Sequence, residues 1–220
     1  MIFDTHDTVA RNAKDISAYV RESIMNIYGV IVDVELSKYP GLTSKQIARS
    51  ILLDNGFSED EINPRLDRYM EDLPYSYYNV AWSDKIIVTD GARELLDELT
   101  KREIFIGIAT GEAQRVAKMR LGKVKIDSYF KFGAYGEDGM IFNEILSKSI
   151  KIARDNGLQE DEGVVVVANP VSVSISKILG MKVVALETSE NSRKELATAG
   201  ADLIVKNFRD IDKIIREIKN

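Results

Sequence analysis

Met1-Ile-Phe-Asp4-Thr5-His6-Asp7-Thr8 is the stretch on which the reading turns. A short apolar run ends in a carboxylate, with further polar side chains directly behind it. The next comparable run, Ile104-Phe-Ile-Gly-Ile-Ala-Thr110, lies far along the chain and ends in a hydroxyl. Four more follow: Tyr129-Phe-Lys-Phe-Gly-Ala-Tyr135, Val164-Val-Val-Val-Ala168, Lys182-Val-Val-Ala-Leu186 and Ala201-Asp-Leu-Ile-Val205. Continuous rather than alternating apolar runs suit strands buried on both faces of a parallel sheet. Between them the periodicity predicts helices near 91–102, 112–121, 144–155, 171–179, 189–199 and 208–219. Strand–helix alternation of this kind predicts a doubly wound, Rossmann-like α/β core. In such a core, ligands sit at the carboxyl ends of the strands, where Asp4 and Thr110 fall.

Residues 13–82 read differently. Ile16, Val20, Ile24 and Ile27 make a helical stripe that stops at Gly29. Thr43 with Gln46, and Ser58 with Glu61, are capping-box patterns, each followed by apolar residues at helical spacing. The expected organisation is therefore a core of 1–12 and 83–220 with an all-helical cap at 13–82 inserted after the first strand. The aromatic stretch Tyr75-Ser-Tyr-Tyr-Asn-Val-Ala-Trp82 marks the return to the core, either as a substrate-facing hinge or as packing at a junction.

Composition narrows the partners. With 220 residues, 45% hydrophobic and 30% charged, the chain is that of a folded globular protein. A net charge of −5 supplies no basic footprint for nucleic acid. No apolar run approaches the ~20 residues of a membrane span. Asp4, Asp7 and Arg11 interrupt any signal-peptide core, and the absence of cysteine excludes disulfides and thiolate chemistry. A cytoplasmic location is the expectation, and nothing in the residues sets an oligomeric state.

A strand ending in Asp, a helical insertion directly behind it and a later strand ending in Thr together resemble the haloacid dehalogenase superfamily. Its archaeal phosphoglycolate-phosphatase-like members look most similar, through Lys38-Tyr-Pro-Gly-Leu-Thr43, Thr89-Asp-Gly-Ala-Arg-Glu-Leu-Leu96 and Phe132-Gly-Ala-Tyr-Gly-Glu137. The resemblance implies hydrolase chemistry on a covalent intermediate. Asp4 then takes the nucleophile's place in a first motif of the form Asp-x-Asp-Gly-Thr, and Thr8 its final hydroxyl. His6 stands where the phosphatases carry a second, acid/base Asp, and Asp7 stands where a Gly is usual. His6 is either a general acid/base or a hydrogen-bonding replacement left after activity was lost.

Thr110 and Gly111 match the second motif, whose hydroxyl and backbone N–H groups hold an anionic oxygen. At the third motif Phe142 occupies the position of the usual cation; Lys148 and Lys151 follow on the same predicted helix. At the fourth motif, Gly-Asp-x-x-x-Asp, the chain reads Val167-Ala168-Asn169-Pro170-Val171-Ser172. Both magnesium-binding carboxylates are missing, although Asn169-Pro170 makes a sound helix N-cap and first-turn pair.

The losses fall on charges that handle phosphate. Two unit charges ~4 Å apart interact by about 4 kcal/mol at an effective dielectric near 20, or roughly three decades in rate. Efficient magnesium-dependent phosphatase activity is therefore not expected. The residues call for no cofactor, and magnesium enters only if the family activity is retained. Two functions are compatible with the sequence. One is a noncanonical hydrolase using Asp4 as nucleophile and His6 as acid/base. The other is a catalytically silent protein that binds a small anionic molecule or a protein partner, with Asn169, Ser172 and Lys148 as further ligand contacts. Lys38, Lys45 and Arg49 in the cap are either anion contacts or solvated surface charge.

Overall fold

A computed structural model describes residues 1–5, 7–14, 17–159 and 163–219. His6 and Ile16 therefore lie outside the described residues. The strands are β1 (Ile2–Phe3), β2 (Ala10–Asn12), β3 (Ile86–Val88), β4 (Gly107–Ala109), β5 (Phe132–Ala134), β6 (Val164–Val167), β7 (Lys182–Leu186) and β8 (Leu203–Val205). The α-helices are α1 (Ser17–Tyr28), α2 (Ser44–Asp54), α3 (Glu59–Ile62), α4 (Leu66–Val80), α5 (Ala92–Lys101), α6 (Gln114–Lys123), α7 (Phe142–Asp155), α8 (Pro170–Ile178), α9 (Arg193–Thr198) and α10 (Ile211–Lys219).

Six strands form one parallel sheet in the order β5-β4-β1-β6-β7-β8. β1 is central, with Ile2 opposite Gly107 on one side and Val165 on the other. Side chains on alternate residues serve opposite faces, so the valine run of β6 divides between two cores. Phe3, Val164, Val166 and Val184 pack with Leu95, Leu96 and Leu99 of α5 and Ile214 of α10. Ile2, Val165, Val167 and Val183 pack with Ile145, Leu146 and Ile150 of α7, Val173 of α8 and Leu196 of α9. Continuous apolar runs therefore arise because both faces are covered. Successive connections run outward from β1 to β5, then cross back to β6 and continue to β8. The carboxyl end of β1 thus lies at the switch point, where a crevice opens.

The helices α1 to α4 share a separate apolar cluster, built from Tyr19, Val20 and Ile24 on α1, Ile51 and Leu52 on α2, and Tyr69, Met70, Leu73 and Tyr77 on α4. Tyr19 and Tyr77 meet edge to face at 5.5 Å, the geometry that ring quadrupoles favour. Ala113 and Val116 of the α6 region join the same cluster, which seats the helical insertion on the α/β part. Gly29, at φ 73, ends α1 in the left-handed region. Both predicted capping boxes form, at Thr43–Gln46 and Ser58–Glu61.

Two features depart from the sequence reading. β2 and β3 pair antiparallel, Ala10 with Val88 and Asn12 with Ile86, to make a ribbon linking insertion and core. The sequence predicts no strand at either place, because three residues reading Ala-Arg-Asn have neither length nor pattern to announce one. The aromatic stretch is also part of α4 up to Val80, despite Pro74 inside that helix. Tyr77 is buried, whereas Tyr75 and Tyr78 face outward. Among the described residues, no helix is long and apolar enough to cross a membrane.

Candidate active site

Asp4 follows β1 directly, its backbone N–H donating to Val166 O at 2.9 Å. The side chain is nearly enclosed, 8% exposed, and the Thr5 N–H donates to its Oδ1 at 2.7 Å. Thr110 ends β4 beside it and is also buried. The Thr5 hydroxyl lies 3.0 Å from the Thr110 hydroxyl and donates to Glu112 Oε2 at 2.8 Å. The next turn is sharp. Asp7 sits at φ 53, in the left-handed region where the resembled motif has its Gly; a short polar Asp tolerates that conformation better than most residues.

Asp4, Asp7, Thr110, Gly111, Phe142, Ala168, Asn169 and Ser172 all line one cavity of about 140 Å³. Its roof comes from the insertion: Tyr19, Val20, Leu36, Tyr39 to Ser44, Ile47 and Tyr69. The roof is clamped down. Ser44 N–H donates to Gly111 O at 3.0 Å, and the Thr43 hydroxyl to Met140 O at 2.7 Å. A Cβ at Gly111 would stand 2.7 Å from Thr43 Cα, so only glycine permits this approach. Most of the Lys38–Thr43 segment quoted from the sequence, from Tyr39 on, is thus part of the roof over the site.

The remaining expectations are met unevenly. Thr8 is fully buried but does not line the cavity; its carbonyl accepts from the Thr89 hydroxyl at 2.5 Å. Lys148 does not line it either, because Asp138 holds its ammonium at 2.6 Å on the half-exposed surface. Lys38 pairs with Glu35, Lys45 with Asp67 and Arg49 with Glu59. Phe142, on the third-motif position, puts a ring where the resemblance expects a cation. Asn169 accepts from Ser172 N–H at 2.8 Å and donates to the Ser172 hydroxyl at 2.9 Å. The end of β6 is therefore a helix cap in which Asn169 and Ser172 bond each other at the edge of the cavity. His6 lies outside the described residues.

The composition of the sequence hid one part of the site. Arg120 of α6 is 1% exposed and ion-paired to Glu112, with Nη1 at 2.5 and 2.6 Å from the two carboxylate oxygens. Its Nε donates to Asn12 Oδ1 at 2.9 Å, and Nη2 to Ala10 O at 3.0 Å. A continuous network thus joins Thr5 and Thr110 to the β2–β3 ribbon. Burial works against the charge of Arg120, and the Glu112 carboxylate beside it more than compensates, so its pKa is raised. A legible signal existed: Arg120 shares the face of Val116, Ala117 and Leu121, where an apolar residue belongs. On the insertion side, burial foremost pushes the Tyr19 and Tyr69 hydroxyls up, so both stay protonated.

Every charged residue among the described cavity lining is acidic: Asp4, Asp7, Glu112 and Glu190. Magnesium, which the resemblance implies, does not fit the donor set. Ala168 offers a methyl group, Asn169 and Ser172 are engaged with each other, and no group of three His, Cys, Asp or Glu among the described residues is placed to hold a metal ion.

Several solved structures share this architecture. A hydrolase from Pseudomonas syringae superposes with a TM-score of 0.71 at 19% identity, covering 99% of this chain and 97% of its own. A protein from Haemophilus somnus described as a predicted phosphoglycolate phosphatase gives 0.73 at 16% identity, covering 97% and 96%. CbbY from Rhodobacter sphaeroides, in complex with phosphate, gives 0.73 at 14% identity, covering 96% and 94%. No curated protein matches the chain in sequence. Residues 1–186 match the haloacid dehalogenase-like hydrolases. The parallel sheet, the carboxylate behind β1 and that match over most of the sequence agree: the chain belongs to the haloacid dehalogenase-like hydrolase family.

Proposed function

We propose that this protein is a metal-independent hydrolase in which Asp4 attacks a carbon electrophile, with residues 13–82 acting as the cap over the substrate. The observation that carries the proposal is the placement of Asp4, oriented by the Thr5 N–H at the floor of a cavity roofed by the insertion. One Asp4 carboxylate oxygen forms a bond to the substrate carbon, and the leaving group departs with the bonding pair. Water then attacks the carbonyl carbon of the resulting ester, releasing the alcohol and restoring Asp4. Closure of the cap excludes bulk water from the first step.

Carbon is favoured over phosphorus by charge. A phosphate dianion would enter a lining whose described charges are all negative. Glu112 is offset by Arg120, but the described lining offers no cation to the dianion; one at ~4 Å would be worth about 4 kcal/mol at an effective dielectric near 20. A neutral carbon electrophile carries no such penalty. His6 is assigned the acid/base role in this scheme, on the strength of its position in the first motif.

A second reading, a ligand-binding protein without turnover, has one observation in its favour. The mutual closure of Asn169 and Ser172 replaces chemistry at β6 with a purely structural cap. One experiment separates the two: incubation with haloamides, haloacids and aryl phosphates in the presence of EDTA, with product assays and intact mass. Turnover or an ester adduct that disappears in Asp4→Asn supports the hydrolase. Activity that survives Asp4→Asn refutes Asp4 as nucleophile. Binding without turnover across the panel establishes the second reading.

A further inference from the structure

The aromatic stretch at the end of α4 takes no part in the chemistry proposed above, and much of it is left uncovered. Tyr75 and Tyr78 are each 61% exposed and Trp82 36%. Spaced three and four residues apart, they form one stripe on the outer side of α4, away from the buried Leu73 and Tyr77. Tyr78 and Trp82 stack with ring centroids 6.0 Å apart. Rings of this size ordinarily contribute through burial, and a contiguous uncovered set of them marks an interaction surface. Tyr, Trp and Arg are also the side chains that most often anchor such surfaces.

The two flanks of the stripe carry opposite charge. On the α6 side, the Arg115 guanidinium lies 5.7 Å from the centre of the Tyr75 ring and the Lys123 ammonium 4.9 Å from that of Trp82. Neither cation has a carboxylate partner among the described residues; Lys123 donates only to the Trp82 and Asp84 carbonyls. On the α1 side, the carboxylates have neutral partners: Glu22 accepts from Asn79 at 3.2 Å, and Asp72 from the Ser76 hydroxyl at 2.8 Å. Asp72 precedes Tyr75 by three residues and Asn79 precedes Trp82 by three, about 4.5 Å at the helical rise. Each acid therefore stands almost level with one of the cations across the stripe.

We propose that this face joins two copies of the chain in an isologous dimer whose two-fold axis runs along α4. Such an axis lays stripe on stripe and the acidic flank of one copy on the basic flank of the other. Asp72 then meets Arg115 of the other copy, and Glu22 meets Lys123, each pair occurring twice. An axis across α4 would instead set like charges opposite one another. A partner of a single sign would leave one flank facing like charge, whereas a second copy answers both flanks at once. The net charge of −5 on each chain opposes association in general, so contact is directed to a face where the cations are uncovered.

Sedimentation velocity of the full chain, over a series of concentrations up to about 100 μM, reads the monomer–dimer equilibrium. A dimer is expected. Tyr78→Ala, at an exposed position, should weaken it at least about tenfold. Arg115→Glu and Asp72→Lys should each do the same, because every reversed charge meets a like charge at two places. Mixed one to one, these two charge variants are expected to form a heterodimer at least about tenfold tighter than either variant alone, since every pair is then of opposite sign again. Thermal unfolding checks that the variants fold, and recovery on mixing separates a broken contact from a damaged chain. A monomer throughout the series, a dimer indifferent to Tyr78→Ala or to either charge reversal, or charge variants that fail to pair with each other would overturn the proposal.

Discussion

The carboxyl ends of β1 and β6 lie side by side in one sheet, with Ile2 and Phe3 in register with Val165 and Val166, and they have opposite characters. Behind β1, Asp4, Thr5, Thr110, Glu112 and Arg120 form a buried, charged network that runs to the β2–β3 ribbon. Behind β6, Ala168, Asn169 and Ser172 form a neutral cap that is complete in itself. Both ends serve the fold equally well, since each starts a sound strand-to-loop transition. The contrast separates two demands on a strand end. Satisfying the backbone needs only a short polar side chain, whereas handling a charged substrate or metal needs carboxylates or cations whose burial must be offset.

The largest break in that contrast is Asp4→Asn, which keeps the shape of the side chain but removes the carboxylate proposed as nucleophile. Turnover of any substrate found in the screen should fall by at least ~10³-fold. Next is Arg120→Met. Leaving Glu112 buried without its partner should cost about 3–5 kcal/mol, read from urea unfolding. Changing Glu112 to Leu in the same chain should recover much of it, because the uncompensated charge is then gone. If Arg120→Met costs nothing, the network is not a stabilising unit.

Ala168→Asp makes the end of β6 resemble that of β1. Wild-type Tm is expected to be insensitive to magnesium, whereas the variant should lose stability in EDTA and regain it with metal. At ten times Kd the ion adds about 1.4 kcal/mol, or roughly 3–6 °C for a domain of this size. A wild-type protein that magnesium itself stabilises would show that Asp4 already has metal-binding partners. The smallest effect on stability is Asn169→Ala, which removes the α8 N-cap and should cost ~1 kcal/mol, read from urea unfolding.

The parallel core was legible because a continuous apolar run such as Val164–Val167, too short for a helix and set between Gly163 and the turn residues Asn169-Pro170, suits a strand covered on both faces. The helix starts were legible because capping boxes are local patterns. Asp4, Thr110 and Gly111 were legible for a related reason: a strand's carboxyl end is a fixed place in this architecture. The β2–β3 ribbon was not, because Ala10-Arg11-Asn12 carries no strand signal to partner the short β-branched run Ile86-Ile87-Val88. Lys148 shows the converse limit. Its spacing on α7 suited a cation for the site, but Asp138 captures it at the surface, which no one-dimensional pattern encodes.

The sequence by itself determined the class of fold, the helical insertion after β1 and the carboxylate at the switch point, since each depends on residue type and periodicity alone. Only the tertiary structure decided that Glu112 and Arg120 bind the site hydroxyls to the ribbon, that Thr43 rests on Gly111, and that the Tyr69 hydroxyl is buried with no hydrogen-bond partner among the described residues. The physical reason is that burial and pairing belong to contacts between segments remote in the chain. A buried arginine or an orphan hydroxyl looks ordinary until the surrounding elements have closed over it.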